Sequence, residues 1–594
     1  MQREEEALGR LARCREEMSR LDLDGLVVPT ADPHLSEYVP ADWKLREALS
    51  AFTGSAGTLL VAHDAAALLA DSRYWEQASG QLPEGIELLR LEGDAVGMIA
   101  QWFEENLPAE SLVGAPAELI SLATRERLEE ALGKAGLALR LEFPDIGFIW
   151  PERPQAKRSR VREMRRPCRS RGEKLGLVRD ALAREGAGSV ALTALDDVAW
   201  VTNLRGSDVP CNPVFTANLI VTRERAMLFV DATRLEPGVR EALEADGVRT
   251  EAPESFEGAL EALPDEGLVL IDPDHTNAAV AARLPEGAAL RGPSPVLMLK
   301  CVKTPEEIAA IDEAMLRDAV ALAEFYAELD ERLAAGERIT ESQAAAMLHA
   351  SRARQLEFFD ESFETICAFG PHGALPHYAT PGEGGAALEG DGLLLIDSGG
   401  QYECGTTDIT RMTPIGRPSA EMLRDVGLVT RAMLRLLRLK FPEGTTGAGV
   451  DLAARIDLWS EGMDFGHGTG HGVGYVLNVH EGPVSISPRA KPVPIAPGNV
   501  LSDEPGVYRP GRWGVRVENL MVCERDRETE FGVFLRFRAL TMMPIDTRAL
   551  PEPFGELADD LNRFNAERVE RLLPLVSERC RAWLGRAVRP VRER

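Results

Sequence analysis

Two histidines lie four residues apart in a glycine-rich stretch, GHGTGHGVG, at residues 466–474. Five glycines in nine residues disfavour a helix. On an extended strand, whose side chains alternate with a period of two, His467 and His471 would face the same side. With His372, His377 and His480, five of the nine histidines fall between residues 372 and 480. Separate core positions would explain one or two of them, so the cluster as a whole indicates a site.

Four acidic residues in short apolar frames surround these histidines. They are Asp397 after LLLI, Asp408 in TTDIT, Glu504 in LSDEPG and Glu518 in VRVEN. A buried carboxylate is normally paired, hydrogen-bonded or bound to a metal ion, because burying it alone is costly. Arg411 or Arg516 could pair with one such acid. Four acids together with a histidine cluster fit a metal site better.

The number and type of these side chains predict two divalent metal ions that share bridging carboxylates. An oxygen-rich set with few imidazoles and no thiolate favours manganese, cobalt or iron over structural zinc. We therefore expect two ions per subunit, Mn²⁺ first, with Co²⁺, Fe²⁺ or Zn²⁺ as alternatives. The pattern differs from the HExxH helix of zinc peptidases, because no glutamate follows His467 directly.

The bulk properties of the chain exclude several classes of function. A net charge of −28 over 594 residues argues against nucleic acid or an anionic membrane as the main partner. No apolar run is long enough to predict a membrane helix, and the start MQREEEALGR does not resemble a signal peptide. The eight cysteines are scattered without a CxxC pair, which is typical of a reducing compartment. We expect a cytoplasmic protein.

The first half of the chain contains an internal repeat. The segment GTLLV with its following aspartate, at 57–61 and 71, matches ANLIV and an aspartate at 217–221 and 231, an offset of 160 residues. We predict two similar α/β domains, at 1–150 and 173–300. The basic segment 151–172 between them is interpreted as a solvated linker, with a docking or nucleic-acid-binding arm as the alternative. Its prolines and lack of aromatic residues favour the linker.

The second half of the chain has a different pattern of predicted helices and strands. Thr304-Pro305-Glu306-Glu307 and Thr340-Glu341-Ser342-Gln343 are capping boxes that predict the starts of two helices. Short β runs then alternate with Gly/Pro turns at 364–369, 392–396, 499–502 and 515–522, interrupted by a helix at 420–439. We predict an α+β domain at 301–550 with an antiparallel sheet, and a helical extension at 551–594 with helices at 557–565 and 566–583.

The motifs resemble those of the pita-bread metallopeptidases, and among these the aminopeptidases P of the long, three-domain cytosolic type. The frames that carry the resemblance are HYA at 377–379, IDSG at 396–399, GTTDITR at 405–411, HGTGHGVG at 467–474, NVHEGP at 478–483, DEPG at 503–506 and EN at 518–519. Further matches lie at GSAGT, 54–58, and at NLRGSDV, 203–209. The resemblance implies two creatinase-like α/β domains followed by a pita-bread catalytic domain.

The resemblance also implies roles for single residues. The implied metal ligands are Asp397, Asp408, His471, Glu504 and Glu518. Glu504 would also act as a proton acceptor, while His377, His467 and His480 would hold the substrate and stabilise the intermediate. Arg73, in the frame DSRY, would face the substrate. The implied partners are small peptides and, through the catalytic domain, a second copy of the chain in a homodimer.

The implied reaction is release of the N-terminal residue from peptides with proline in second position, by a hydroxide that bridges the two ions. Two alternatives remain open at this point. A prolidase would cleave Xaa-Pro dipeptides on the same catalytic fold, although the duplicated N-terminal domain argues against it. A metal-free binding module on this fold would lack the acidic ligands.

Overall fold

A computed structural model describes residues 2–263 and 267–594 of the chain. The chain divides into two compact units, Met1–Leu299 and Lys300–Arg594. None of the helices in the described residues is both long enough and apolar enough to cross a membrane.

The first module of the N-terminal unit is a six-stranded sheet in the order β4-β3-β2-β1-β5-β6 with helices packed against it. Its elements are α1 (Gln2–Arg20), β1 (Gly25–Pro29), α2 (Leu45–Ser50), β2 (Thr58–Ala62), β3 (Ala66–Ala70), α3 (Trp75–Gln81), β4 (Glu87–Arg90), α4 (Ala95–Asn106), β5 (Leu112–Gly114), α5 (Leu122–Lys134), β6 (Ala138–Arg140) and α6 (Ile146–Ile149).

The second module repeats this sheet, in the order β12-β11-β10-β8-β13-β14. Its elements are β7 (Arg162–Glu163), α7 (Arg171–Glu185), β8 (Ser189–Leu192), α8 (Leu195–Thr202), β9 (Leu204–Arg205), β10 (Asn218–Thr222), β11 (Ala226–Phe229), α9 (Val239–Ala245), β12 (Val248–Glu251), α10 (Phe256–Ala262), β13 (Val269–Ile271), α11 (Ala278–Ala282), β14 (Ala289–Arg291) and α12 (Pro295–Lys300).

The two sheets share their pattern of strand directions as well as their order. In each, two central pairs are antiparallel and the three outer pairs are parallel. The 160-residue offset read from the sequence places Thr58, the first residue of β2, on Asn218, the first residue of β10. The predicted duplication of an α/β module is therefore confirmed.

The basic segment between the modules lies along the second module and is not a free linker. Ser159 donates its backbone N–H and its hydroxyl to the Asp208 carboxylate, both at 2.7 Å. Asp208 in turn forms a buried ion pair with Arg234 at 2.6 Å. Val161 and Met164 are buried. The expectation of a solvated linker was wrong for this part of the segment, because these two apolar side chains within the basic run fix it to the module.

The C-terminal unit begins with two long helices whose capping boxes are confirmed. Thr304 and Thr340 each accept a hydrogen bond from the backbone N–H three residues on, and the side chain at that position, Glu307 or Gln343, accepts one in return. The helices of this unit are α13 (Pro305–Ala334), α14 (Glu341–Arg352), α15 (Ala420–Leu437), α16 (Gly447–Ser460), α17 (Ala558–Leu572) and α18 (Glu578–Ala587).

Short strands form the remainder of the C-terminal unit. They are β15 (Phe358–Glu361), β16 (Ile366–Phe369), β17 (Gly392–Ser398), β18 (Gly400–Tyr402), β19 (Gly405–Thr406), β20 (Ile409–Ile415), β21 (Lys440–Pro442), β22 (Gly470–Gly472), β23 (Glu481–Ile486), β24 (Val500–Asp503), β25 (Gly506–Arg509), β26 (Trp513–Arg516), β27 (Asn519–Thr529) and β28 (Gly532–Ala539). The main sheets are antiparallel, in the orders β16-β17-β20 and β21-β28-β27-β24-β22-β23.

Two apolar clusters fix these sheets to the helices. Leu393 and Leu395 of β17 share one cluster with Val429 and Met433 of α15. The six-stranded sheet shares a second cluster with α16, which contributes Val450 and Ala454. The observed architecture confirms the predicted α+β class.

Two sequence-based boundaries differ from the structure. The run predicted as one strand at 515–522 is divided between β26 and β27. The C-terminal helices are separated at 573–577 and not at 565, because Pro574 interrupts the helix and Ser577 caps the next one.

Candidate metal centre

Two of the predicted acids lie on neighbouring antiparallel strands. Asp397 is near the end of β17 and lies opposite Thr410 of β20, while Asp408 directly precedes β20. The LLLI run before Asp397 is buried throughout, so the strand carries this carboxylate into the interior, where it is 8% exposed. Asp408 is 3% exposed.

The other two acids lie in short gaps between strands of the same unit. Glu504 directly follows β24, and Glu518 lies in the two-residue gap between β26 and β27. Glu518 receives a hydrogen bond of 2.8 Å from the Thr410 hydroxyl, which connects it to the strand beside Asp397. Burial and the neighbouring carboxylates raise the pKa values of both glutamates above their ordinary range.

His471 lies on β22 and faces two of these acids. Its Nε2 atom is 3.5 Å from Asp408 Oδ2 and 3.4 Å from Glu504 Oε1. Its Nδ1 atom lies 2.9 Å from the Gly472 carbonyl and must donate there, which leaves Nε2 directed at the acids. Burial lowers the pKa of His471, but Asp408 and Glu504 outweigh it and raise the pKa to about 9.

The glycines around His471 are required by close backbone contacts. A Cβ atom on Gly470 would lie 2.0 Å from the Ser502 carbonyl oxygen, and one on Gly472 would lie 2.2 Å from the Glu481 carbonyl oxygen. Any larger residue would push β22 away from its neighbours β23 and β24. The glycine-rich stretch thus lets His471 approach the acids.

The donor set fits bound metal. One oxygen of Asp397, Oδ1, is buried without a hydrogen-bond partner. Ligand atoms of Asp408, His471 and Glu518 lie within 4.8 Å of one another. The carboxylates of buried Asp397, Asp408 and Glu518 and that of Glu504, whose side chain is 19% exposed, interact with one another beside the Arg516 cation. Divalent ions would neutralise this excess of negative charge. Carboxylate oxygens with one imidazole and no thiolate are ligands that manganese accepts.

Arg516 and Tyr508 extend this centre outward. The Arg516 guanidinium donates to Asp397 Oδ2 at 2.6 Å and to the Tyr508 hydroxyl at 2.8 Å. Sequence reasoning named Arg516 as a possible ion-pair partner but missed Tyr508. No sequence pattern marked Tyr508, because it meets Arg516 only when β25 pairs with β26 and brings both side chains to one hairpin.

His467 lies before β22, in a bend, so the two histidines are not on one strand. Its Nδ1 atom is 2.7 Å from the Gly468 carbonyl and donates to it, so Nε2 accepts from the Tyr508 hydroxyl at 2.8 Å. Arg455 of α16 holds the bend by donating to the His467 carbonyl at 2.9 Å and to Asp451 at 2.6 Å. His467 therefore reaches Asp397 through Tyr508 and Arg516, not through β-strand alternation.

The two remaining histidines lie in irregular segments of this unit. The ring of His480 stands perpendicular to that of His471, with centroids 4.2 Å apart. The next residue, Glu481, forms a buried ion pair with Lys303 that fixes this position. His377 lies in a turn between β16 and β17, half-buried.

Arg73 belongs to the N-terminal unit. It forms a two-point ion pair with Asp71, at 2.8 and 2.7 Å, and its guanidinium lies over the ring of Tyr74. Its contact with substrate stays a prediction.

Comparison with known proteins follows the same division of the chain. Residues 309–525 match metallopeptidase family M24, and residues 10–139 and 151–307 match two forms of the creatinase/prolidase N-terminal domain.

Relatives and a solved structure cover nearly the whole chain. A probable Xaa-Pro aminopeptidase P of Aspergillus fumigatus is 35% identical over 98% of this chain and 92% of its own length. One of Chaetomium globosum is 35% identical over 96% of both chains. The crystal structure of the X-prolyl aminopeptidase of Caenorhabditis elegans, described as a cytosolic enzyme with a di-nuclear active site, matches with a TM-score of 0.93 and 29% identity, covering 98% of this chain and 100% of that one.

Proposed function

Because the chain belongs to the Xaa-Pro aminopeptidase P family of M24 metallopeptidases, we propose that its buried carboxylate cluster is the dinuclear centre of the reaction. The chain is a metal-dependent aminopeptidase that removes the first residue from peptides with proline in second position. The observation that carries the placement of the centre is the unpartnered Oδ1 atom of buried Asp397 among three further acids.

The proposed ligands are Asp397, Asp408, His471, Glu504 and Glu518. Divalent ions held by these five residues would polarise the scissile carbonyl and lower the pKa of a bound water to near neutrality. Two divalent ions agree with the family and with the donor set. The choice of Mn²⁺ over Co²⁺, Fe²⁺ or Zn²⁺ is our proposal, based on the predominance of oxygen donors.

The protein's own groups prepare this centre. Arg516 holds Oδ2 of Asp397, which leaves Oδ1 available as a ligand. Glu504 is the proposed proton acceptor, because burial raises the pKa of its carboxyl. His377, His467 and His480 are proposed to bind substrate and stabilise developing negative charge, and Arg73 to contact the peptide from the N-terminal unit.

The assay that tests the function uses an Arg-Pro-Pro peptide with chelated enzyme and with enzyme reconstituted with Mn²⁺. Release of free arginine only after reconstitution is the expected result. Absence of any divalent ion from the purified protein, with no activation by manganese, would favour a metal-free binding module. The prolidase alternative is tested by comparing Xaa-Pro with Xaa-Pro-Xaa, and cleavage of the dipeptide alone would overturn the assignment.

A homodimer formed through the catalytic unit is also proposed. Leu452, Ile456 and Trp459 of α16 form an apolar stripe at helical spacing and are 48%, 51% and 50% exposed. We expect Ile456→Glu to convert a dimer to a monomer in light scattering, whereas Phe531→Glu, at an apolar residue 81% exposed elsewhere in the unit, leaves it unchanged. A wild-type chain that elutes as a monomer would reject the dimer.

The cytoplasm is the proposed compartment. The eight cysteines are scattered along the chain without a CxxC pair, as in proteins kept reduced. Cell fractionation with a tagged chain tests this, and recovery from a secreted or membrane fraction would contradict it. Small peptides are the proposed partners, with neither nucleic acid nor membrane as a binding surface.

A further inference from the structure

The segment that carries His377 connects β16 to β17 and has little regular structure. It opens with a 3₁₀ turn at Gly370–Ala374 and continues through a second turn, in which the backbone N–H of Tyr378 donates to the Leu375 carbonyl. A segment of this kind needs fixed points if its histidine is to keep one position. The structure provides them on a single side chain, Glu341, the first residue of α14.

The Glu341 side chain is 0% exposed and both its oxygens are saturated by donors. Oε1 accepts from the backbone N–H of Phe369 at 2.7 Å and from Nδ1 of His372 at 2.8 Å. Oε2 accepts from the backbone N–H of Ala386 at 2.8 Å and from the Tyr378 hydroxyl at 2.9 Å. One carboxylate therefore binds four positions of the segment.

These four positions enclose His377. Phe369 is the last residue of β16, and Ala386 lies further along the segment, six residues before β17. His372 and Tyr378 flank the histidine on either side. The rings of His372 and Tyr378 stack, with centroids 4.5 Å apart and planes 21° apart. The backbone of Gly385 approaches Glu341 so closely that a Cβ atom there would lie 2.7 Å from Oε2.

We propose that Glu341 is a positioning residue that places the His377 imidazole for substrate binding. The proposal rests on the substrate role of His377 given above. Glutamine has nearly the same shape, but its NH₂ group would face two donors in place of an acceptor oxygen. Glu341→Gln therefore breaks the fixed points of the segment while it leaves the metal ligands unchanged.

The test is a double-mutant cycle on kcat and KM with an Xaa-Pro-Xaa peptide, comparing Glu341→Gln, His377→Ala and the double variant in the Mn²⁺-reconstituted enzyme. We expect Glu341→Gln to lower kcat/KM by about tenfold to a hundredfold, as displacement of a binding group by an ångström does. In the His377→Ala background the same change should have an effect of less than about threefold, because the two residues act as one unit. Glu383→Gln, an exposed glutamate of the same segment, is the control and should change neither constant.

Each outcome decides between named alternatives. Additive effects of the two substitutions would overturn the positioning role, as would a Glu341→Gln enzyme with wild-type constants. If His377→Ala alone were fully active, the proposed substrate role of His377 would be wrong, and the positioning role of Glu341 with it. The dinuclear centre is tested separately, by the metal content of the purified enzyme. Should Glu341→Gln lose metal or unfold, Tyr378→Phe removes a single donor, and additivity with His377→Ala in that cycle would likewise reject the proposal.

Discussion

Arg516→Met removes the cation that faces the carboxylate cluster and keeps most of the side-chain volume. Arg516 is 3% exposed and its donors reach Asp397 Oδ2 at 2.6 Å and the Tyr508 hydroxyl at 2.8 Å. In the metal-free protein the substitution leaves a buried carboxylate without its partner. Loss of one member of a buried ion pair lowers the free energy of unfolding by about 3–5 kcal/mol.

Bound metal changes this expectation. Two divalent ions would neutralise the acids that Arg516 otherwise balances, so that only its hydrogen bonds are lost. Arg516 also donates a third, longer bond of 3.3 Å to the Thr410 hydroxyl. The free energy of unfolding should therefore fall by about 1–3 kcal/mol in the Mn²⁺-loaded protein. Urea unfolding of both forms, with and without chelator, measures the difference. Arg512→Met is the matched control, since Arg512 belongs to the same hairpin but is 49% exposed and pairs with Glu421 at the surface.

Equal destabilisation of the metal-free and metal-loaded proteins by Arg516→Met would contradict this expectation. A loss below about 1 kcal/mol in the metal-free protein, which is the range of a surface pair, would refute it as well.

Three further outcomes are expected. Asp408→Ala or Glu504→Ala abolishes turnover while circular dichroism shows an intact fold, and retained activity in either variant would remove that residue from the centre. Without metal, Asp408 and Glu504 outweigh burial and hold the pKa of His471 at about 9. A metal ion must therefore displace a proton from His471, and manganese affinity in titration calorimetry should rise from about pH 6 to pH 9. An affinity that does not change with pH would contradict this. The hydrogen bond to Glu341 raises the pKa of His372 in the folded protein. The stability that this pair contributes is therefore complete below the pKa of His372 in the unfolded chain, and it is lost as the pH rises through the pKa of His372 in the folded protein. The melting temperature should therefore fall more on His372→Asn at about pH 6 than at about pH 9, and an equal fall at both would speak against the pair.

Local patterns in the sequence were sufficient for much of the fold. The capping residues Thr304 and Thr340 fixed the starts of two helices because a cap is satisfied within four residues. The 160-residue offset identified the duplicated sheet because both copies keep the same buried hairpin. Pro574, by contrast, lies inside the helix predicted at 566–583 and ends α17, so this helix boundary was predicted wrongly.

The site was predicted less completely, because its organisation depends on contacts between distant segments. The acids could be named from their apolar frames, but Tyr508 and Arg455 carry no such signal. Tyr508 acquires its partners only when β25 pairs with β26, and Arg455 only when α16 packs beside the His467 bend. Glu341 was seen as the second residue of a capping box, and its buried contacts with the His377 segment lie 28 to 45 residues away in the sequence.

The strand orders of the sheets have a consequence for the order in which the chain can fold during synthesis. Each N-terminal sheet draws all six strands from one continuous stretch, ending at Arg140 or Arg291, and can complete its hydrogen bonds once that stretch has left the ribosome. In the six-stranded sheet of the C-terminal unit, β21 pairs with β28, which is the last strand of that sheet to be synthesised. The edge strand β21 therefore stays unpaired until the residues of β28, 532–539, have emerged, longer than any other strand of that sheet.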